Sequence, residues 1–181
     1  MKRPVPDEVI LGLIKAKPTH GYELLESFRS RQQLGRIWTL STSQLYAVLK
    51  RLEQAGAIIG RKIVSSNAPP RIEYEVTPSG ETQLFSWLYA DDPSPSIHRI
   101  RVLFLSRIYI ANLLGVSHRK IIDAQIIACE SQKAKLISRS PDEISDIEKL
   151  TINYVVNQLD AAVRWLKESN FYLRIIDYTR F

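Results

Sequence analysis

Only one cysteine, Cys129, occurs in the chain, which excludes an internal disulfide and a metal site built from cysteines alone. A lone thiol suits a reducing compartment. Glycine is scarce, with seven in 181 residues. None falls in a G-x-G-x-x-G, P-loop or G-x-S-x-G pattern, and no H-E-x-x-H occurs. The usual signatures of dinucleotide, nucleotide, acyl-transfer and zinc-peptidase chemistry are therefore missing, and neither a catalytic residue nor a cofactor is expected. His98 and His118 lack carboxylate or cysteine neighbours at ligand spacing, and His20, where a helix begins, reads as a structural hydrogen-bonding residue, so no metal is expected either. Long apolar runs are also absent. The densest, "IRVLFLSRIYIANLLGV", is interrupted by Arg107 and is too short to span a bilayer comfortably. The opening "MKRPVPDEVILGLIKAKP" breaks its apolar run at Lys15 and has no signal-peptide cleavage pattern. These absences point to a soluble, cytoplasmic chain with no membrane partner.

What is present is a foldable, basic composition. A hydrophobic content of 45% supports a real core, and the net charge is +6. Residues 1–90 carry 12 Lys/Arg against 8 Asp/Glu, and residues 91–181 carry 13 against 11. The excess leans towards the N-terminal half and favours polyanion partners. The stretch "DDPSPS" at 91–96 reads as a linker between a domain at 1–90 and another at 97–181.

Periodicity gives the elements of the first half. Val9, Ile10, Leu13 and Ile14 form one face of a helix over 6–16, ended by Pro18. Thr19 is placed to cap a second helix, "HGYELLESF", where Gly21 permits a close helix crossing. A short extended piece is expected near Ile37–Thr39. "LSTSQLYAVLKRLEQAGAI" then carries a capping box, Ser41 with Gln44, and an apolar face of Leu45, Val48, Leu49 and Leu52. Gly56 sits where a left-handed C-cap belongs. "AIIGRKIV" and "RIEYEVT" read as a hairpin around "SSNAPP", and a helix follows over 78–90. Helix, helix, strand, helix, hairpin, helix is the order of a winged helix-turn-helix, in which the third helix enters the DNA major groove.

The second half reads as all-helical, with helices over 97–115 and 118–138 and a last one opened by Asp142 and Glu143 and running to about 172. Its series Ile144, Ile147, Leu150, Tyr154, Val155, Leu159, Ala162 and Leu166 steps by threes and fours. A seam of that length needs a partner of similar length, which suggests the same helix of a second subunit. The fold class expected is thus mainly α with a small β-hairpin: an N-terminal winged helix-turn-helix and a C-terminal all-α dimerisation domain.

The outer face of the third helix raises the functional question. Ser43, Tyr46, Ala47, Lys50, Arg51 and Gln54 are small, hydrogen-bonding or cationic, whereas solvated faces are usually richer in Glu–Lys pairs. Candidate DNA contacts are Ser41, Thr42, Ser43, Gln44, Tyr46, Lys50 and Arg51, with Arg61, Lys62 and Arg71 flanking the wing as phosphate clamps or plain surface charges. Gln44 has a competing role in the capping box, and Tyr46 can pack on the second helix instead. Trp87, Tyr154 and Trp165 are candidates for an effector cavity, against the plainer reading of core or interface aromatics. Cys129 reads as a buried small apolar residue.

Four stretches resemble the PadR-like transcriptional regulators: "LGLIKAKPTHGYEL", the third-helix block with Tyr46, Leu49, Leu52, Glu53 and Gly56 in register, "RIEYEVTPSGE" in the wing, and the long helical second half of the larger subfamily that includes virulence activators. The resemblance implies a homodimer that reads palindromic operator DNA and is released by a small-molecule effector. It departs at Ser43 and Ala47, where many members have glycine and proline, and at a wing tip without basic residues. The rival expectation is a winged-helix protein-interaction module that does not bind DNA.

Overall fold

In the structure, a computed structural model, residues 5–65, 68–138 and 145–178 are described, with side chains except at 65, 68, 69 and 170–178. The helices and strands in chain order are α1 (Asp7–Ala16), β1 (Thr19–His20), α2 (Gly21–Arg29), α3 (Thr42–Gln54), β2 (Ile58–Ser65), β3 (Ala68–Val76), α4 (Pro78–Leu88), α5 (Ile97–Arg99), α6 (Leu105–Leu114), α7 (Arg119–Ile137) and α8 (Asp146–Tyr178). The fold is mainly helical with a small antiparallel sheet in the order β1-β3-β2, which makes the first half a winged helix.

The third strand is not where the sequence suggested. Thr19 and His20 pair with Tyr74 and Glu73, so the chain entering α2 forms the sheet edge. Residues near Ile37–Thr39 form no strand, because the Ile37 and Trp38 N–H groups both bond back to the Leu34 carbonyl in a tight turn. Thr19 also does not cap α2. His20 takes the N-cap position, and the Thr19 hydroxyl donates to Glu23 Oε2 at 2.6 Å.

Two compact units are present, and their division does not follow the 91–96 linker alone. The first comprises Met1–Tyr89 with Leu105–Ser117, and the second Ala90–Phe104 with His118–Phe181. In the first, α6 packs on α1, where a Cβ on Gly12 would stand 2.5 Å from Ile110 Cγ2. The Trp38 indole N–H donates to the buried Ser106 hydroxyl at 2.8 Å, a second tie from α6 to the winged elements. The helix expected over 97–115 runs from Ile97 to Leu114 and carries a π-helical turn at Ile100–Phe104, at whose end the chain passes from one unit to the other.

In the second unit α7 and α8 lie along each other, burying Ile121, Ile122, Cys129, Leu159 and Leu166. Burial pushes the Cys129 thiol pKa up, as expected of a small apolar residue. Ion pairs Lys133–Asp160 and Lys167–Glu130 flank the contact. Helix α8 spans 33 residues, roughly 50 Å at 1.5 Å per residue. Asp142 and Glu143, expected to open it, and Ile144 lie outside the described residues.

Candidate nucleic-acid interface

Helix α3 is fixed from both ends. Ser41 Oγ accepts the Gln44 N–H at 3.2 Å and Gln44 Oε1 accepts the Ser41 N–H at 2.9 Å, the complete capping box. At the other end the chain leaves through Gly56 at φ 69°, and the Ala57 N–H returns to the Leu52 carbonyl at 2.9 Å. Glycine adopts that conformation without the cost a Cβ imposes. Along the inner face Leu45, Val48, Leu49 and Leu52 are all buried, each worth roughly 1.5–3 kcal/mol relative to exposure. These contacts leave the helix no freedom to rotate, so its outer face is held in a set direction.

The outer face then follows from a 100° step per residue. Ser43, Ala47, Lys50 and Gln54 form one exposed stripe directly opposite Leu52. No acid lies on it. Two of its members are small, so a double helix can approach the backbone closely, and Lys50 has no ion pair among the described residues. Exposed hydroxyls of Ser41 and Ser43 stand 3.0 Å apart at its N-terminal end, beside Thr42.

The flanks are engaged within the protein. Arg51 makes a two-pronged pair with Asp7 of α1, its Nε donating to Asp7 Oδ2 at 3.0 Å and its Nη2 to Oδ1. The hydrogen bond to that carboxylate raises the Arg51 pKa further. Arg51 is thus a tie between α3 and α1 rather than a free cation. Tyr46, half exposed, lays its ring end over Gly21, where a Cβ would stand 2.7 Å from the hydroxyl. Gly21 therefore does permit the close α2–α3 crossing. The amide oxygen of Gln44 is committed to the cap, and its side-chain N–H₂ has no described partner.

On the wing, Arg61 pairs with Glu75 across the hairpin at 3.0 Å. Lys62 is exposed with no ion pair among the described residues, and so is Arg71. A cleft of about 310 Å³ lies between His20, Tyr22, Tyr46, Arg71 and Ile72, bringing α2, α3 and β3 to one place. His20 Nδ1 sits 3.6 Å from Glu23 Oε2, a local contact. Two anchoring residues escaped the sequence reading. Glu53 accepts the Gly60 N–H at 3.1 Å, tying wing to α3. Asp7 is the other, and nothing local could reveal its partner 44 positions away.

The three proposed effector aromatics are not brought together by any described contact. Trp87 belongs to the first unit, where the buried Arg107 guanidinium lies 5.5 Å from its ring centroid. Trp165 packs edge-on against Phe104 at 5.8 Å in the second. Tyr154 is exposed on α8, its hydroxyl accepting from Gln158 at 2.7 Å. The seam splits as well: Leu159 and Leu166 are buried within their own chain and Ala162 is half-buried, while Ile147, Leu150 and Tyr154 are 70%, 65% and 62% exposed. Among the described residues no group of His, Cys, Asp and Glu is arranged to hold a metal ion, and no helix is long and apolar enough to cross a membrane.

Comparison with known proteins places this arrangement. Residues 10–86 match the family described as "Transcriptional regulator PadR-like family". A curated relative, the "Negative transcriptional regulator PadR" of Bacillus subtilis (strain 168), is 29% identical over 106 residues, covering 59% of this chain and 56% of the relative. The match thus spans little more than half of that relative's length. Among solved structures, Bacillus subtilis PadR in complex with operator DNA is similar at 22% identity and TM-score 0.48, covering 95% of this chain and 99% of that one. A PadR-like transcriptional regulator from Bacillus cereus is similar at 23% identity and TM-score 0.45, covering 95% and 98%. Residues 10–86, the winged elements, belong to the PadR-like family of transcriptional regulators.

Proposed function

We propose that this chain is a homodimeric, effector-responsive transcriptional regulator that binds palindromic operator DNA, and that it has no enzymatic role. One observation carries the reading: the acid-free stripe Ser43, Ala47, Lys50 and Gln54 on a helix locked at both ends. An unpaired lysine and small side chains suit phosphates and base edges, which position and specify respectively. Thr42, Ser41 and the Gln44 side-chain N–H₂ extend the stripe, Tyr46 flanks it, and Lys62 and Arg71 on the wing complete the proposed contact set. Arg51 and Arg61 act through their carboxylate partners, holding α3 and the wing in place. The exposed Ile147, Leu150 and Tyr154 supply the face for a second copy. The name of the curated relative favours repression as the sense of regulation.

The test is fluorescence anisotropy of the purified protein on its own gene's upstream region, beside a shuffled control, over a salt series. Preferential binding that weakens with salt is the expected result, because each phosphate contact releases counterions. The rival interaction-module reading draws on the wing, whose Arg61 is already neutralised by Glu75. Absence of binding to upstream DNA and to a random-site pool, even at low salt, would favour that rival.

A further inference from the structure

The first unit contains a second cleft, of about 380 Å³, bounded by α1, α2 and α6. Its volume lies within the ordinary range for small-molecule pockets. Nothing in the operator-binding reading uses it. One side of the cleft is apolar, formed by Leu13, Leu24 and Leu113, and Leu113 remains 42% exposed. Such a surface on α6 is left uncovered at the mouth of a cavity.

The rest of the lining is polar and biased in charge. Glu23 and Glu26 both line the cleft, against one cation, Lys17. Thr19 occupies Glu23 Oε2 and Arg29 occupies Glu26 Oε1, so each carboxylate keeps one oxygen without a hydrogen bond among the described residues. A carboxylate oxygen only accepts, which makes a donor its natural complement. The Thr19 hydroxyl bond lowers the Glu23 pKa, so this acid stays charged at neutral pH. Tyr109, also in the lining, stays protonated because burial raises its pKa, and its ring offers a π face.

We propose that this cleft binds a small cationic amphiphile, an aryl or short alkyl amine, with its ammonium on Glu23 and Glu26 and its apolar body on Leu13, Leu24 and Leu113. An anion of the same shape meets Glu23 and the Arg29-paired Glu26 and is disfavoured. The site goes beyond the operator-binding reading and is measured on the protein alone, so its outcome stands whatever the protein does with DNA.

Isothermal titration of the full chain with tyramine, and with 3-(4-hydroxyphenyl)propionate as its oppositely charged counterpart, tests the assignment. Tyramine is expected to bind saturably and the propionate not at all. Glu23→Gln and Glu26→Gln should each weaken tyramine about tenfold, the scale of one charge-assisted contact. Leu113→Trp, at the exposed mouth, should block binding while leaving both acids in place. Far-UV circular dichroism and melting of each variant without ligand check that the unit stays folded. Preference for the propionate, unchanged tyramine binding in both glutamine variants, or no binding of either probe at millimolar concentration would overturn the proposal.

Discussion

Helices α3 and α8 have the same kind of apolar stripe but different partners for it. In α3 all four apolar positions are buried within one unit. In α8 the stripe changes character midway: Leu159 and Leu166 are 1% and 0% exposed, whereas Ile147 and Leu150 are 70% and 65% exposed. A repeat of 3.6 residues states that a face needs covering. It does not state which chain covers it. In α3 the neighbours lie close by in sequence, and β2 follows within four residues of its end. In the first turns of α8 the apolar positions Ile147 and Leu150 stay uncovered.

The sharpest way to break this comparison is truncation on the two helices. Leu49→Ala in α3 and Leu166→Ala in α8 should each cost about 2–5 kcal/mol in urea unfolding, the range for buried leucines whose cavity cannot collapse. Leu150→Ala should change the stability of the dissociated chain by only about 0.5 kcal/mol or less. If Leu150 matched Leu49 at low protein concentration, the exposed half of α8 would be part of the monomer's core.

Charge on that exposed half gives the next largest effect. Paired Ile147→Glu and Leu150→Glu substitutions should halve the mass measured by light scattering while leaving the circular dichroism spectrum unchanged. A wild-type chain already monomeric at tens of micromolar would remove the dimer from the reading.

Lys50 and Arg51 then separate contact from positioning on α3 itself. Lys50→Ala should weaken DNA binding across sequences and make the logarithmic salt slope shallower by about one. Arg51→Ala should cost about 1 kcal/mol of stability or less, because the pair is partly exposed. Its double-mutant cycle with Asp7→Ala should show coupling that Lys50 lacks. Equal behaviour of the two variants on DNA would return Arg51 to the contact surface.

The smallest effect concerns pH. The folded-state pKa of Glu23 lies below its unfolded value, so its contribution is present above the unfolded carboxylate pKa and is lost as pH falls through the folded one. Thr19→Val removes the principal cause, the hydroxyl donor, and should flatten the acid limb of the stability profile. A profile identical to wild type would place the shift elsewhere.

Much of the fold was legible in the residues because its signals are local. The capping box at Ser41 and Gln44 and the left-handed Gly56 each depend on atoms a few positions apart. The misplaced strand shows where local reasoning stopped. Ile37–Thr39 has the stronger extended propensity, yet pairing with Glu73 and Tyr74, more than 50 positions away, makes Thr19–His20 the edge strand. Among the site residues, exposure of Lys50 followed from the helical step, while the capture of Arg51 by Asp7 did not.

The sequence by itself therefore determined the helices, the hairpin, the order that makes a winged helix and the direction of the α3 stripe, since these follow from torsional preference and periodicity. Tertiary structure alone decided which cations remain free, which half of α8 stays uncovered, and that α6 belongs with the winged elements. Those outcomes rest on Arg51–Asp7, on the burial of Leu159 and Leu166 against α7, and on Trp38–Ser106 with the space left beside Gly12, contacts between residues far apart in the chain. Distance along the sequence is the reason: a charge or an apolar face announces a need, and only the folded chain shows what meets it.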